Sequence, residues 1–433
     1  MHRIIKNIFN KVLGEGSTKN VFKNMSILAS GTGIAKIIGL AAMPFITRIY
    51  TPEHFGILAV FTAALVILLV FADMRYIVAL LLPKSDELAF NLFILILSLI
   101  GLITLFCTII LLFYGELIFA FFNMVEITSY WWLLILGLAG ASIFELLSQW
   151  AIRKKSFDVV AKTSVWQSVF SASAKIGLGL FGLKPIGLLI GVVLKKAGGI
   201  LAFLKIFLKD FRNYWYKVTF KKIFFLLRYY KELPMYSLPS QFLLIVAGKI
   251  PVLYFAFQFG SNTTGQLGLA MTVIGIPIGL LGRSTGQAFY SEIARIGKDN
   301  SEKIYNLSIN ILKRLAIVSI LPCTILLFGS PFLFQLIFGS EWYQAGLITS
   351  ILTIYLFFQF LSLPFINILN VLNLQNIYFK INLSKILLAT IPFTLSYFFE
   401  YEIYSTLILY TIFMSIYYTY SSYAIFSIIK PKQ

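Results

Sequence analysis

Charge is scarce in this chain: only 12% of its 433 residues are Asp, Glu, Lys or Arg, about half the share in an ordinary soluble domain. Cysteine is nearly missing. Cys107 and Cys323 both sit in apolar runs, so no disulfide framework or thiolate metal site can be built, and both read as small core hydrophobes. Histidine is confined to His2 at the terminus and His54 in a connecting loop. No Cys/His cluster, Walker loop or nucleophile elbow occurs, which excludes hydrolytic chemistry and ATP coupling within the chain. The alternating polar and apolar segments of an outer-membrane barrel are also missing.

Long apolar windows fill the space these absences leave. With 59% hydrophobic residues, stretches near 20 residues recur from end to end, the length a helix needs to cross a bilayer. The expected fold class is an all-α polytopic membrane protein. Twelve spans are expected, at 25–47, 55–82, 88–113, 130–150, 163–183, 186–208, 236–258, 265–290, 314–338, 345–369, 381–399 and 403–426.

The net charge of +19 is a matter of placement. Most basic residues fall in segments 1–24, 153–162, 205–231, 295–314 and the tail with Lys430 and Lys432; only Arg48 and Lys184 fall on the opposite side. Lys and Arg bias sets orientation, so both termini are expected in the cytoplasm. Basic residues hug the span ends, which suits anionic lipid heads and argues against nucleic acid as a partner. Residues 1–24 form an expected surface arm, with Ile4, Ile5, Ile8, Phe9 and Val12 opposite Arg3, Lys6 and Lys11. Residues 209–235, the longest charged connection, read as a cytoplasmic linker between two six-span lobes, 25–208 and 236–433. A weak repeat supports two lobes. Phe55-Gly56-Ile57-Leu58-Ala59 and Leu267-Gly268-Leu269-Ala270 open two spans, each preceded by a lysine (Lys36, Lys249) and followed by an arginine (Arg75, Arg283).

Charges within the spans carry the functional signal. Lys36, Lys175, Lys195, Lys196 and Lys249 lie inside apolar stretches, with Arg75 and Arg283 nearer the cytoplasmic ends of two more. A cation at a membrane helix centre costs about 2.5–3.5 kcal/mol. Seven facing lipid would cost on the order of 20 kcal/mol, against a total stability near 5–15. They are therefore expected to line something wet or anionic. Polar stripes at helical spacing agree: Thr32 with Lys36; Ser164, Ser168, Ser171 and Lys175; Ser142, Glu145 and Gln149; Gly275, Gly279, Arg283 and Gln287. Thr32, Ser171, Gln149 and Gln287 are thus candidate cavity liners. The bland reading is that glycines and serines pack helices together and the arginines snorkel to the interface. Asp73 and Glu145 are the acids well inside spans, either structural partners of the cations or acceptors of a coupling H⁺ or Na⁺. Lys195 and Lys196 are adjacent and cannot share one narrow cleft, so one packs elsewhere or the sixth span is displaced or broken.

Short motifs resemble those of a known family. Thr47 to Gly56 between the first two spans is similar to the opening signature of bacterial polysaccharide flippases. So are Arg75-Tyr76 with Ala79 to Pro83, the loop 84–87, Gln149 to Phe157, Pro277 to Ala294 and Phe338 to Trp342 with Ala345-Gly346. The chain resembles the O-antigen (Wzx-type) flippases of the multidrug/oligosaccharidyl-lipid/polysaccharide exporter superfamily. That resemblance implies twelve helices in two six-helix lobes, a MATE-like V around a cationic cavity. It implies translocation of an undecaprenyl-pyrophosphate-linked oligosaccharide across the bacterial inner membrane by alternating access, without enzymatic activity. Lys36, Arg48, Arg75, Lys175, Lys249 and Arg283 are the expected pyrophosphate-binding residues. Expected partners are the lipid-linked oligosaccharide, membrane lipids and a polysaccharide polymerase complex; no cofactor is expected beyond a coupling ion.

Three alternatives make different demands. An exporter of cationic drugs from the same superfamily would want an acidic cavity, whereas basic residues dominate here. A membrane glycan polymerase or ligase would carry a long outer loop, and residues 114–129, the longest outer connection, hold no His, Lys or Arg. A lipid II flippase is the third alternative.

Overall fold

The computed structural model describes residues 17–297, 300–372 and 374–430. Residues 1–16 of the expected surface arm 1–24 lie outside them, and residues 17–24 belong to the first helix. The described chain is helical throughout: α1 Ser17–Ile49, α2 Pro52–Ala72, α3 Asp86–Phe121, α4 Trp131–Arg153, α5 Phe157–Leu180, α6 Ile186–Ala197, α7 Ile200–Trp215, α8 Phe220–Tyr229, α9 Leu238–Ile296, α10 Ser301–Phe338, α11 Tyr343–Ser362, α12 Ile366–Val371, α13 Gln375–Phe398 and α14 Ile403–Ile429. Ten of the described segments are long and apolar enough to cross a membrane. Their outer faces suit lipid. On α3, Leu102, Leu105, Phe106, Ile109, Leu112 and Phe113 are all exposed and recur at helical spacing, a continuous apolar stripe that water would not tolerate.

Two breaks interrupt expected spans, and a third falls between two of them, 236–258 and 265–290. The expected span 55–82 ends as a helix at Ala72. Met74 and Arg75 then take left-handed backbone conformations, and a 3₁₀ turn follows at Tyr76–Leu81. The expected span 186–208 breaks at Gly198–Gly199, where Gly199 has φ 96° and the chain restarts as α7. Gly260, with φ 75°, interrupts α9; glycine adopts that conformation at little cost.

The chain forms two compact units. Unit 1 contains the segment ending at Ile46 with residues 64–116 and 128–241. Its strongest packing joins α5 to α6 and α4 to α6, and close approaches at Gly31 against Ala161 and Gly140 against Ala197 need glycine. Residues 209–235 fold as the end of α7, then α8, and pack within this unit. Trp150 is fully buried amid Phe90, Phe93, Phe211 and Tyr214. An ion-pair staple closes that end: Asp86 meets Arg153 at 3.0 Å and Lys154 at 2.7 Å, Lys154 reaches Asp210 at 3.5 Å, and Arg153 also donates to the carbonyls of Leu80 and Pro83. Asp86→Ala leaves two cations facing each other. The expected loss is about 1–2 kcal/mol, reduced because Asp86 is partly solvated, and is measured as a lower thermal midpoint of the purified protein.

Unit 2 contains residues 47–63, 117–127 and 242–433. Its packing is strongest between α10 and α11, α11 and α14, and α13 and α14. Ser330 on α10 donates to the Gly346 carbonyl of α11 at 2.8 Å, the interhelical use of serine expected where hydrocarbon offers no partner. Residues 47–59 are seated here. The Trp342 indole donates to the Thr47 carbonyl at 3.0 Å and stands edge-on to Phe55, and the Asn262 amide donates to the Glu53 carboxylate. Both repeat glycines line this seam: a Cβ on Gly268 would touch the Ala59 methyl at 3.0 Å, and one on Gly56 would strike the Ser261 backbone.

Candidate functional site

Unit 1 gathers lysines from three helices. Lys36 on α1, Lys175 on α5 and the Lys195–Lys196 pair ending α6 form a chain in which Lys195 lies within electrostatic reach of Lys36, Lys175 and Lys196. A Cβ on Gly39 would lie 3.6 Å from the Lys195 ammonium, so α1 and α6 meet there without a side chain in between. The Lys175 stem runs over Gly191 of α6, with its Cε 2.7 Å from where a Cβ would stand. Ser171, one turn before Lys175, donates to the Gly191 carbonyl at 2.6 Å. Gln167 donates to the Gly198 carbonyl, pinning the break that ends α6. The break places both members of the Lys195–Lys196 pair at a helix C-terminus, where the macrodipole favours cations. Among the described residues neither has an ion pair with a carboxylate.

The acids of unit 1 keep separate company. Asp73 accepts the Arg75 backbone N–H at 2.8 Å, a contact made possible by the turn that replaces the expected helix. The Arg75 guanidinium donates to Ser237 at 3.4 Å. Glu145 is exposed and accepts from Gln149 at 3.2 Å. Asp73 stands in the turn beyond α2. Burial pushes its carboxyl up to about 6; the Arg75 N–H and guanidinium oppose that shift, and Glu145 adds to it. A carboxyl raised above its unfolded value near 3.9 contributes stability that is complete below about pH 4 and lost as pH rises through about 6. The thermal midpoint is therefore expected to fall between about pH 5 and about pH 7.5. Asp73→Asn should flatten that fall; an unchanged slope would show that other groups produce it.

The remaining expected residues have distinct surroundings. Thr32 turns its hydroxyl onto its own helix, donating to the Leu28 carbonyl at 2.9 Å. In unit 2, Arg48 is exposed and donates to the Leu336 carbonyl at 3.5 Å, Lys249 is partly buried on α9, and Gln287 is exposed on the same helix. The Arg283 side chain lies outside the described residues. Lys385 on α13 was not anticipated: it stands at the start of the expected span 381–399, where a lysine reads as an ordinary interfacial flank.

This helical architecture is similar to that of several solved transporters. Lipid II flippase MurJ in an inward closed conformation matches with a TM-score of 0.68 at 17% identity, covering 92% of this chain and 87% of that one. A MOP superfamily transporter from Pyrococcus furiosus matches with a TM-score of 0.54 at 14% identity, covering 98% and 99%. The Vibrio cholerae MATE transporter VcmN matches at 0.53 and 12%, covering 94% and 96%. The chain is thus a polytopic membrane protein with the fold of the MOP superfamily. Residues 45–347 match the family described as "Polysaccharide biosynthesis protein", and the chain belongs to that family. A search of the curated proteins finds no match.

Proposed function

We propose that this protein is a flippase, not an enzyme, carrying an undecaprenyl-pyrophosphate-linked oligosaccharide across the bacterial inner membrane by alternating access. The observation that carries this reading is the lysine cluster of unit 1. Four ammonium groups drawn together from α1, α5 and α6 concentrate positive charge at one place in unit 1, and a diphosphate is an anion of matching charge density. Lys36, Lys175 and Lys195 would grip it, with Arg48, Arg75, Lys249 and Arg283 as further cations along its route. Family membership supports a glycan cargo. The twelve-helix, two-lobe arrangement (lobes 25–208 and 236–433) is part of the proposal. It is supported by the ten apolar segments together with the less apolar α5 and the division of α9 at Gly260. Cytoplasmic termini follow from the lysine and arginine bias. Asp73, poised to exchange a proton near neutrality, is the proposed coupling acid, and a polymerase complex would take up the delivered oligosaccharide.

Lipid II transport is a second reading, favoured by the TM-score of 0.68 to MurJ against 0.54 and 0.53 for the other two structures. Complementation separates them. Expression in a strain lacking its polysaccharide flippase should restore surface polysaccharide, while expression in a strain depleted of its lipid II flippase should leave lysis unrelieved. The reverse pattern selects the second reading, and failure in both refutes the flippase assignment.

A further inference from the structure

Inside unit 2, helices α9, α11, α13 and α14 surround a cavity of about 310 Å³. Its size is at the lower end of small-molecule sites, which run about 300–1,000 Å³. That is room for a sugar ring and too little for an oligosaccharide on a lipid. Most of the wall is apolar, contributed by residues such as Met271, Ile274 and Leu352. The polar groups are few: the Lys385 ammonium, the Gln359 amide, and the hydroxyls of Tyr355, Tyr410 and Tyr418. Among the described residues no Asp or Glu lines it.

Lys385 sets the chemistry. Its ammonium lies 5.9 Å from the Tyr418 ring centroid, a cation–π distance. Among the described residues it has neither a carboxylate partner nor a hydrogen-bond acceptor, so that contact leaves all three N–H donors unused. An apolar-walled hollow holding one uncompensated positive charge selects a guest with one negative charge. A diphosphate, with more charge than a single ammonium can balance, fits poorly here and belongs with the four lysines of unit 1. Around the lysine the walls are aromatic: Tyr355 stands edge-on to Tyr410 at 5.5 Å and stacks with Tyr418 at 6.5 Å. The hydroxyls of Tyr355, Tyr410 and Tyr418 and the Gln359 amide line the same cavity as Lys385, so hydrogen-bonding groups stand near the ammonium. Aromatic faces receive the C–H faces of a pyranose, and pre-positioned amide and phenol groups receive its hydroxyls.

We infer that the cavity of unit 2 is a binding site for an acidic sugar, a pyranose bearing one carboxylate of the uronic acid class, with Lys385 taking the carboxylate and the tyrosines the ring. The inference rests on the proposed glycan cargo and narrows it to repeat units that contain such a sugar.

Binding of free monosaccharides tests it without any transport. Sodium glucuronate, glucose and sodium acetate are titrated against the purified full-length protein, with saturation-transfer NMR as the readout. Saturable glucuronate binding is expected, with glucose and acetate each weaker by about tenfold or more. Lys385→Gln should lose about tenfold or more, and Lys385→Arg should retain binding. Should Lys385→Gln fail to fold, Gly275→Leu serves instead. A Cβ at Gly275 meets nothing within 4 Å and the position lines the cavity, so the leucine fills the hollow and should abolish binding. Equal binding of glucose or acetate overturns the inference, as does the absence of saturable glucuronate binding. Loss of binding on replacing Lys36 and Lys195 but not on Gly275→Leu would place the sugar in unit 1 and equally overturn it. Complementation reports separately on the flippase reading, so either can fail while the other stands.

Discussion

Replacing Lys36 and Lys195 together by alanine is expected to abolish surface polysaccharide in cells that depend on this protein for it, while the protein still inserts into the membrane. Each lysine would supply a charge-assisted contact worth about 1.5–3 kcal/mol. Losing two weakens the hold on a diphosphate by about 3–6 kcal/mol, roughly a hundredfold to ten-thousandfold in affinity. Insertion should be unharmed or improved, because removing a cation from a membrane helix relieves a cost of about 2.5–3.5 kcal/mol. The two effects therefore have opposite signs. A purely structural role predicts the reverse: the double variant would express poorly, and whatever protein remained would export normally. Lys→Arg at the same positions keeps the charge and should keep much of the export. Immunoblotting of surface polysaccharide alongside membrane-fraction protein levels distinguishes these outcomes.

The second large effect is on stability and lies at the seam of unit 2. A methyl group on Gly265 would collide with the Pro52 carbonyl and come within 2.8 Å of the Gly56 backbone nitrogen. One on Gly56 would lie 2.7 Å from the Ser261 carbonyl carbon. The obstacles are backbone atoms held by their own helices, so no rotamer change relieves them. Gly265→Ala and Gly56→Ala are expected to cost about 1–3 kcal/mol each, the range typical of overpacking. Gly33 and Gly101 provide the contrast, since a Cβ at either meets nothing within 4 Å. Alanine there should stabilise by about 0.5–1 kcal/mol through helix propensity alone. Thermal unfolding of the four purified variants measures both signs. No shift for Gly265→Ala would contradict the seam as described.

Much of this architecture was legible in the chain because a bilayer demands long apolar runs, and those are hard to miss. Its interruptions were not. The expected span 186–208 runs through Gly198–Gly199, and hydropathy cannot register that Gly199 takes positive φ; the kink at Gly260, by contrast, falls between the expected spans 236–258 and 265–290. The adjacent lysines Lys195 and Lys196 raised the prospect of a broken span; the break falls just beyond them, at Gly198–Gly199, and leaves both on the last turn of α6. The repeat that pairs Gly56 with Gly268 was visible as sequence; the close approach of each glycine to the facing helix appears only in the packing. Arg153 and Lys154 read as topology signals, yet Asp86 binds both and α7 adds Asp210. Charge placement announces which side of the membrane a loop occupies and is silent about its partners there. Lys385 escaped notice because a lysine near a span end is ordinary, and its surroundings on α11 and α14 are remote in sequence.

Recognition of a diphosphate by the lysines of unit 1 is the property on which transport would turn. Native mass spectrometry of the purified protein with undecaprenyl diphosphate, undecaprenyl phosphate and undecaprenol measures this. The diphosphate should bind about tenfold or more tighter than the uncharged alcohol, and Lys36→Ala with Lys195→Ala should erase that preference while leaving tail binding unchanged. Equal affinity for the alcohol and the diphosphate, or a preference that survives the double substitution, would contradict the account.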